Sequence, residues 1–405
     1  MNMTLSKNEF LIFVIFMIIV LIGFFNSQSF FSPLLSVLVY FYIGFITQQR
    51  SSIHMMFFLG YSSFIFLPSL LNWYYLDIDF SFYFLTSLVS AVFLYLTRGT
   101  LVKPFMDYGA QPRFVFIFIS ILMISLSLLK LEVVIVPLFA FFIFLLSLCF
   151  KQNHIKNNFI YLFIFSLVFF IYSFFSWSGY GRTVVVGWLL LANLQFAYSI
   201  DFKVNKYAFG LVPGLAATLL SDRSLLKLKF SGFESALYDS AYQPYRLASS
   251  FIDEFNISGF DFSGFFDQIL FTFFVFIPRD LWVNKPNGFG FEYTVRHFDQ
   301  SLIDAGHSIA STLIGDHIYF LGYLGTISSI IVLSLIAYAI NFFYKIKGLN
   351  GNGVVVFSSS MMVLVWGGMT SFSARIALPG MVFIIVLLLF RRVLTGELKI
   401  KLKSK

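Results

Sequence analysis

In this sparsely charged chain, the residues best suited to chemistry are a few isolated cations. Ile277-Pro-Arg-Asp-Leu-Trp-Val-Asn-Lys-Pro286 sets Arg279 and Lys285 between two prolines, which fix the backbone around both charges. Rigidly spaced cations suit a diphosphate or a charged sugar, because arginine stays protonated and its planar fork pairs with phosphate oxygens. Trp282 offers an apolar face between them, and the plainer alternative is a turn with a solvent-facing Arg279–Asp280 pair. Arg246, in Tyr242-Gln-Pro-Tyr-Arg-Leu-Ala248, is an isolated cation among tyrosines of the kind that stack on sugar rings. Arg182 follows Ser178-Gly-Tyr-Gly181, and Arg375 lies in Ser371-Phe-Ser-Ala-Arg-Ile-Ala-Leu-Pro379. Either arginine can snorkel to lipid headgroups. Placed deeper in a membrane, each implies a bound partner.

His297, Asp304, His307, Asp316 and His317 supply acids and bases. None of their spacings makes a metal site, since the one close pair, Asp316-His317, is adjacent in sequence and adjacent helical residues point apart. His307, Asp316 and His317 are candidates for a general base, which must sit where it can accept a hydroxyl proton. Each also has an ordinary structural alternative. Glycines 315, 322 and 325 around the last two residues permit close helix packing.

The elements that must position these residues follow from composition. With 59% hydrophobic residues, 11% charged and a mean hydropathy of +0.86, the chain is an integral membrane protein, as soluble domains run near ~25% charged. Its basic residues fall singly between apolar runs instead of striping a polar face, which argues against a nucleic-acid partner. The single cysteine, Cys149, excludes a disulfide framework and a thiolate metal site. The first apolar stretch, from Glu9 to Phe25, lacks a small-residue cleavage site and reads as a retained helix.

Apolar runs long enough for a bilayer occur near 9–25, 30–48, 53–72, 79–97, 113–129 and 132–150. Six more lie near 159–176, 183–200, 205–221, 318–343, 354–373 and 376–391, so the expected fold is all-α with about 12 transmembrane helices. Nine spans fill 1–221, a loop covers 222–316, three more helices cover 317–393, and 394–405 is a basic tail. With both termini inside, inner segments carry 17 lysines and arginines, against 3 in the short outer loops: Lys130, Arg182 and Arg375. The same rule keeps Phe262 to Pro278 from being a further span, because a crossing there would move the basic tail outside. That stretch is expected to be a re-entrant or interfacial helix. From Asp222 to His317 the chain gathers 12 of its 19 acids, 7 of its 27 bases and 3 of its 5 histidines, a polar island outside the membrane.

The late outer loop, the Ile-Pro-Arg…Lys-Pro string and Ser308-Ile-Ala-Ser-Thr-Leu-Ile-Gly-Asp-His-Ile-Tyr319…Gly-Tyr-Leu-Gly325 together resemble the Wzy-type oligosaccharide repeat unit polymerases. The likeness covers the whole chain in topology and about 50 residues in motif. An Arg-X10-Gly pattern found in some members occurs from Arg279 to Gly290 but not at Arg182 or Arg246. The resemblance implies a GT-C-like fold and an inverting, metal-independent glycosyltransferase with no cofactor. It would act on undecaprenyl-diphosphate-linked oligosaccharides at the outer face of a bacterial inner membrane, with a chain-length regulator among its partners. Arg182, Arg246, Arg279, Lys285 and Arg375 would then hold diphosphates, Trp282 and Tyr319 would meet sugars, and His307, Asp316 or His317 would take the acceptor proton. An O-antigen ligase shares this topology, and a flippase of the same lipid-linked glycan is a non-enzyme alternative. The charge-poor span interiors favour an outer-face enzyme over a transport path.

Overall fold

The computed structural model describes residues 7–25, 32–76, 78–100, 102–103, 112–176, 182–219, 237–275, 277, 279–297, 310–345 and 354–372. Among them every regular element is helical. In chain order these are α1 (Lys7–Phe25), α2 (Ser32–Ile46), α3 (Ser52–Tyr75), α4 (Phe80–Leu96), α5 (Arg113–Leu128), α6 (Glu132–Cys149), α7 (Ile155–Phe175) and α8 (Arg182–Ser199). There follow α9 (Lys206–Gly210), α10 (Val212–Leu219), α11 (Gln243–Ser258), α12 (Phe262–Phe274), α13 (Phe289–His297), α14 (Leu313–Leu321), α15 (Leu324–Lys345) and α16 (Ser360–Phe372).

Among the described residues three helices, α3, α7 and α15, are both long and apolar enough to cross a membrane. They differ in what they touch. The apolar window of α3 is 89% buried, against 33% in α7 and α15, so α3 is a central helix and the other two turn most of their surface outward. A helix apolar all round must be covered on all sides or sit in lipid. Around α3 pack α16, α9 and, through α16, α14; α4 joins α1, α2 and α15; and α5, α6 and α7 form a second group tied to α16 by α8.

Polar side chains set the ends of several helices. Asp79, Asn205, Asp261 and Thr312 each accept a hydrogen bond from a first-turn amide, the usual N-cap device.

The structure departs from uninterrupted spans in three places. Residues 205–221 are not one helix: α9 ends at Gly210 and α10 starts at Val212, with Pro213 in its first turn. The hydroxyl of Ser63, in a π-helical turn of α3 over Ser62–Phe66, bonds to both sides of that break, donating to the Gly210 carbonyl (2.9 Å) and accepting from the Gly214 amide (2.9 Å). The expected span over 318–343 is divided by Gly322, at φ +54°, into a short α14 and a long α15. The span over 354–373 opens with a 3-10 turn (Val356–Ser359) and loses helical geometry at Gly368, φ +62°. The stretch expected to lie along the membrane is the 13-residue α12, about 20 Å long and too short for a hydrocarbon core of about 30 Å. The last span, 376–391, and the basic tail lie outside the described residues.

Candidate functional site

The described part of the polar island folds into a layer of three helices over α14. α11 packs against α14, while α12 packs against both α14 and α16. The sequence of α11 explains its seat: Pro244, Tyr245, Ala248 and Phe251 make one buried stripe, and the polar residues face outward. Phe251 then meets Phe289 (ring centroids 5.5 Å), Tyr293 (5.1 Å) and Tyr319 (5.3 Å), an aromatic joint between α11, α13 and α14.

Between α12 and α13 runs the proline-bounded string, and its two cations have different fates. Lys285 is buried, and its ammonium donates to the carbonyls of Val275 and Ile277, both at 2.7 Å. Burial, and secondarily the nearby Arg279, lowers its pKa. It closes the turn from inside and is not offered to a ligand. Arg279 is exposed, yet its guanidinium is fixed by the carbonyls of Lys285 (2.9 Å) and Pro286 (3.4 Å) and by the Asn287 side chain. Trp282 is half-buried and packs edge-on against Phe274, 6.3 Å between centroids. Gln268 of α12 pins the far end of the turn: its amide donates to the Asn287 carbonyl (3.0 Å) and accepts from the Phe289 amide (2.7 Å).

Beneath this layer Asp316 and His317 are both buried. Asp316 accepts from the Ser311 hydroxyl and the Met369 amide, and it lies against the non-helical Gly368 of α16. A Cβ at position 368 would overlap the Asp316 carboxylate, so the break in α16 and the acid occupy one another's space. His317 lies edge-on to Phe265 at 5.2 Å, and its Nδ1 has no hydrogen-bond partner among the described residues. Asp316, His317 and Gln268 line a cavity of about 20 Å³, room for one water. The buried pair thus supports the floor on which Gln268 holds the Arg279 turn, and neither residue reaches solvent.

A reachable acid–base group lies elsewhere on the layer. Tyr293 donates to Glu254 at 2.5 Å, His297 stacks on Tyr293 at 4.2 Å, and the His297 Nε2 is 4.0 Å from the Glu254 carboxylate. The Glu254 and His297 side chains are 29% and 40% exposed, enough to meet a substrate hydroxyl. Burial and the Glu254 carboxylate raise the Tyr293 pKa, which keeps the phenol a donor. Tyr319, half-buried, abuts Tyr293 at 5.6 Å and so belongs to this group. Sequence reasoning counted His297 among the acids and bases but missed Glu254, which lies 43 positions upstream; only the packing of α11 on α13 joins them.

Arg246 is exposed on α11 and donates to the Tyr238 hydroxyl at 2.8 Å. Tyr238 in turn meets Tyr75 (5.2 Å) and Tyr242 (5.3 Å), so the arginine stands beside an aromatic cluster. Arg182 is the first residue of α8. His307 and Arg375 lie outside the described residues. Among the described residues no group of three histidine, cysteine or acidic side chains could hold a metal ion. Comparison with protein-family models, with curated proteins and with solved structures finds no match for this chain.

Proposed function

We propose that this chain is a membrane glycosyltransferase that polymerises lipid-linked oligosaccharide repeat units for a surface polysaccharide. In this reading the 222–316 segment faces the periplasm and both termini are cytoplasmic. An acceptor sugar hydroxyl attacks the anomeric carbon of the donor glycan with inversion. The bond from that carbon to the diphosphate oxygen breaks, undecaprenyl diphosphate leaves with the electron pair, and the hydroxyl proton passes to a base. The observation that carries the reading is Arg279, an exposed guanidinium held rigid by three acceptors of its own turn. A preorganised cation stabilises charge that develops on a leaving diphosphate without reorganising during the reaction. Arg246, beside its tyrosines, suits the glycan or second diphosphate, and the Glu254–His297 pair suits the proton. Lys285, Asp316 and His317 keep structural roles around them.

Deleting the gene and resolving the surface glycan on a gel tests the activity. A polymerase deletion leaves lipid A core bearing a single repeat, whereas bare core with polymer stranded on its carrier marks a ligase, and repeats trapped inside mark a flippase. Arg279→Ala, at normal membrane levels, is expected to reproduce the deletion pattern. An unchanged ladder removes Arg279 from the site.

A further inference from the structure

A second cavity lies at the opposite end of α3 from the polar layer. It measures about 280 Å³ and opens between the first turns of α3 (Met55, Leu59), the last turns of α8 (Leu190 to Ala197), the link after α8 (Phe202) and α9 (Phe209). Apart from Asn193 its lining is wholly apolar. Phe202 and Phe209 are 56% and 40% exposed, so the groove is open at the side and not sealed in the core.

Two features identify what covers it. The first is depth. Leu190 is nine residues from the end of α8 at Ser199, about 14 Å at helical rise, which is half of a hydrocarbon core of about 30 Å. The groove therefore runs about half the depth of a hydrocarbon core along α8, beside the membrane-crossing α3, where the fitting occupant is an extended acyl chain.

The second is charge at the mouth. Lys203 is exposed between Phe202 and Val204, both of which line the groove. Arg50 is exposed next to Gln49, whose carbonyl accepts from Tyr198 of α8. Lys151 is exposed, and its carbonyl is tied to the end of α8 through Asn158, which donates to it (2.7 Å) and to Ser199 (2.9 Å). Against these three bases Asp201 is the one acid among the described residues of the 200–209 link. An apolar trough with a basic mouth matches a phospholipid with an anionic headgroup, as each base near a membrane surface attracts such lipids.

We infer that this groove is a binding site for one anionic phospholipid, its chain between α3 and α8 and its phosphate at Lys203, Arg50 and Lys151. The site is separate from the glycan chemistry and does not depend on it. The test is native mass spectrometry of the delipidated full-length protein titrated with phosphatidylglycerol or with phosphatidylcholine of the same chains. Wild type is expected to retain phosphatidylglycerol about fivefold better or more. Lys203→Glu, at an exposed position, should lower that retention by about fivefold and leave phosphatidylcholine unchanged. Ala197→Phe, which fills the trough, should lower retention of both lipids. Equal retention of the two lipids by wild type, or undiminished phosphatidylglycerol on Lys203→Glu, overturns the assignment, and neither result requires Ala197→Phe to fold.

Discussion

Arg279 and Lys285 stand six positions apart, yet one charge faces outward and the other inward. Replacing Lys285 with methionine keeps the volume but strands the carbonyls of Val275 and Ile277, the acceptors of its ammonium. Hydrogen bonds to a charged group are worth about 1.5–3 kcal/mol, so Lys285→Met should destabilise the protein by about 2 kcal/mol, read by thermal unfolding in detergent. Arg279→Ala should cost less stability and more activity, and an equal thermal loss in both variants would refute the division of roles. Glu292 offers a pH test. Burial, opposed by Arg296, raises its pKa above the ordinary 4.5. Between its ordinary and its folded value the folded state therefore holds the proton more often than the unfolded chain does, and stability falls as pH rises through that window. Glu292→Gln carries the neutral shape at every pH. It should flatten the dependence, melting higher than wild type above the window and like it below pH 4.5. A parallel offset at all pH values would show that the carboxylate's proton is not involved.

At the scale of elements, helices were legible and their interruptions were not. Uniformly apolar runs mark α3, α7 and α15 without ambiguity, but the same uniformity hides where backbone geometry changes, because the breaks are satisfied by distant partners. The α9–α10 break depends on Ser63, about 150 positions earlier, and the break at Gly368 depends on Asp316. Likewise the string from Ile277 to Pro286 was legible as a rigid turn, whereas the inward seat of Lys285 needed the carbonyls ten and eight residues before it. Gly368 combines φ +62° with ψ −162°, a region essentially reserved for glycine. Gly368→Ala should therefore cost about 2–3 kcal/mol from backbone strain alone, with the clash on Asp316 added. A double-mutant cycle separates the two. Asp316→Ala loses the Ser311 and Met369 contacts but makes room, so Asp316→Ala with Gly368→Ala should be less destabilised than the sum of the singles. Strict additivity would mean that the acid and the break are independent.

On the scale of the whole molecule, charge and packing agree on two unlike ends. One carries the polar layer of α11, α12 and α13; the other carries Arg50, Lys151 and Lys203 around the mouth of the apolar groove. Lysine and arginine favour the cytoplasmic side of short membrane loops, which in the proposed reading puts the basic end inside and the layer outside. The single cysteine makes this testable. Cys149 is buried, and replacing it with alanine frees the chain for single reporters. Ser258, at the end of α11, and His154, just before α7, are both exposed and lie at the two ends. With Ser258→Cys, a membrane-impermeant maleimide should label intact spheroplasts at once. With His154→Cys it should label only after the membrane is opened. Labelling of both from outside would mean an even number of crossings between residues 154 and 258 and would overturn the three spans expected there. Labelling in the reverse order would keep an odd number of crossings between the two positions but turn the candidate site toward the cytoplasm, where the lipid-linked glycan of the proposed reading, already carried across the membrane, could not reach it.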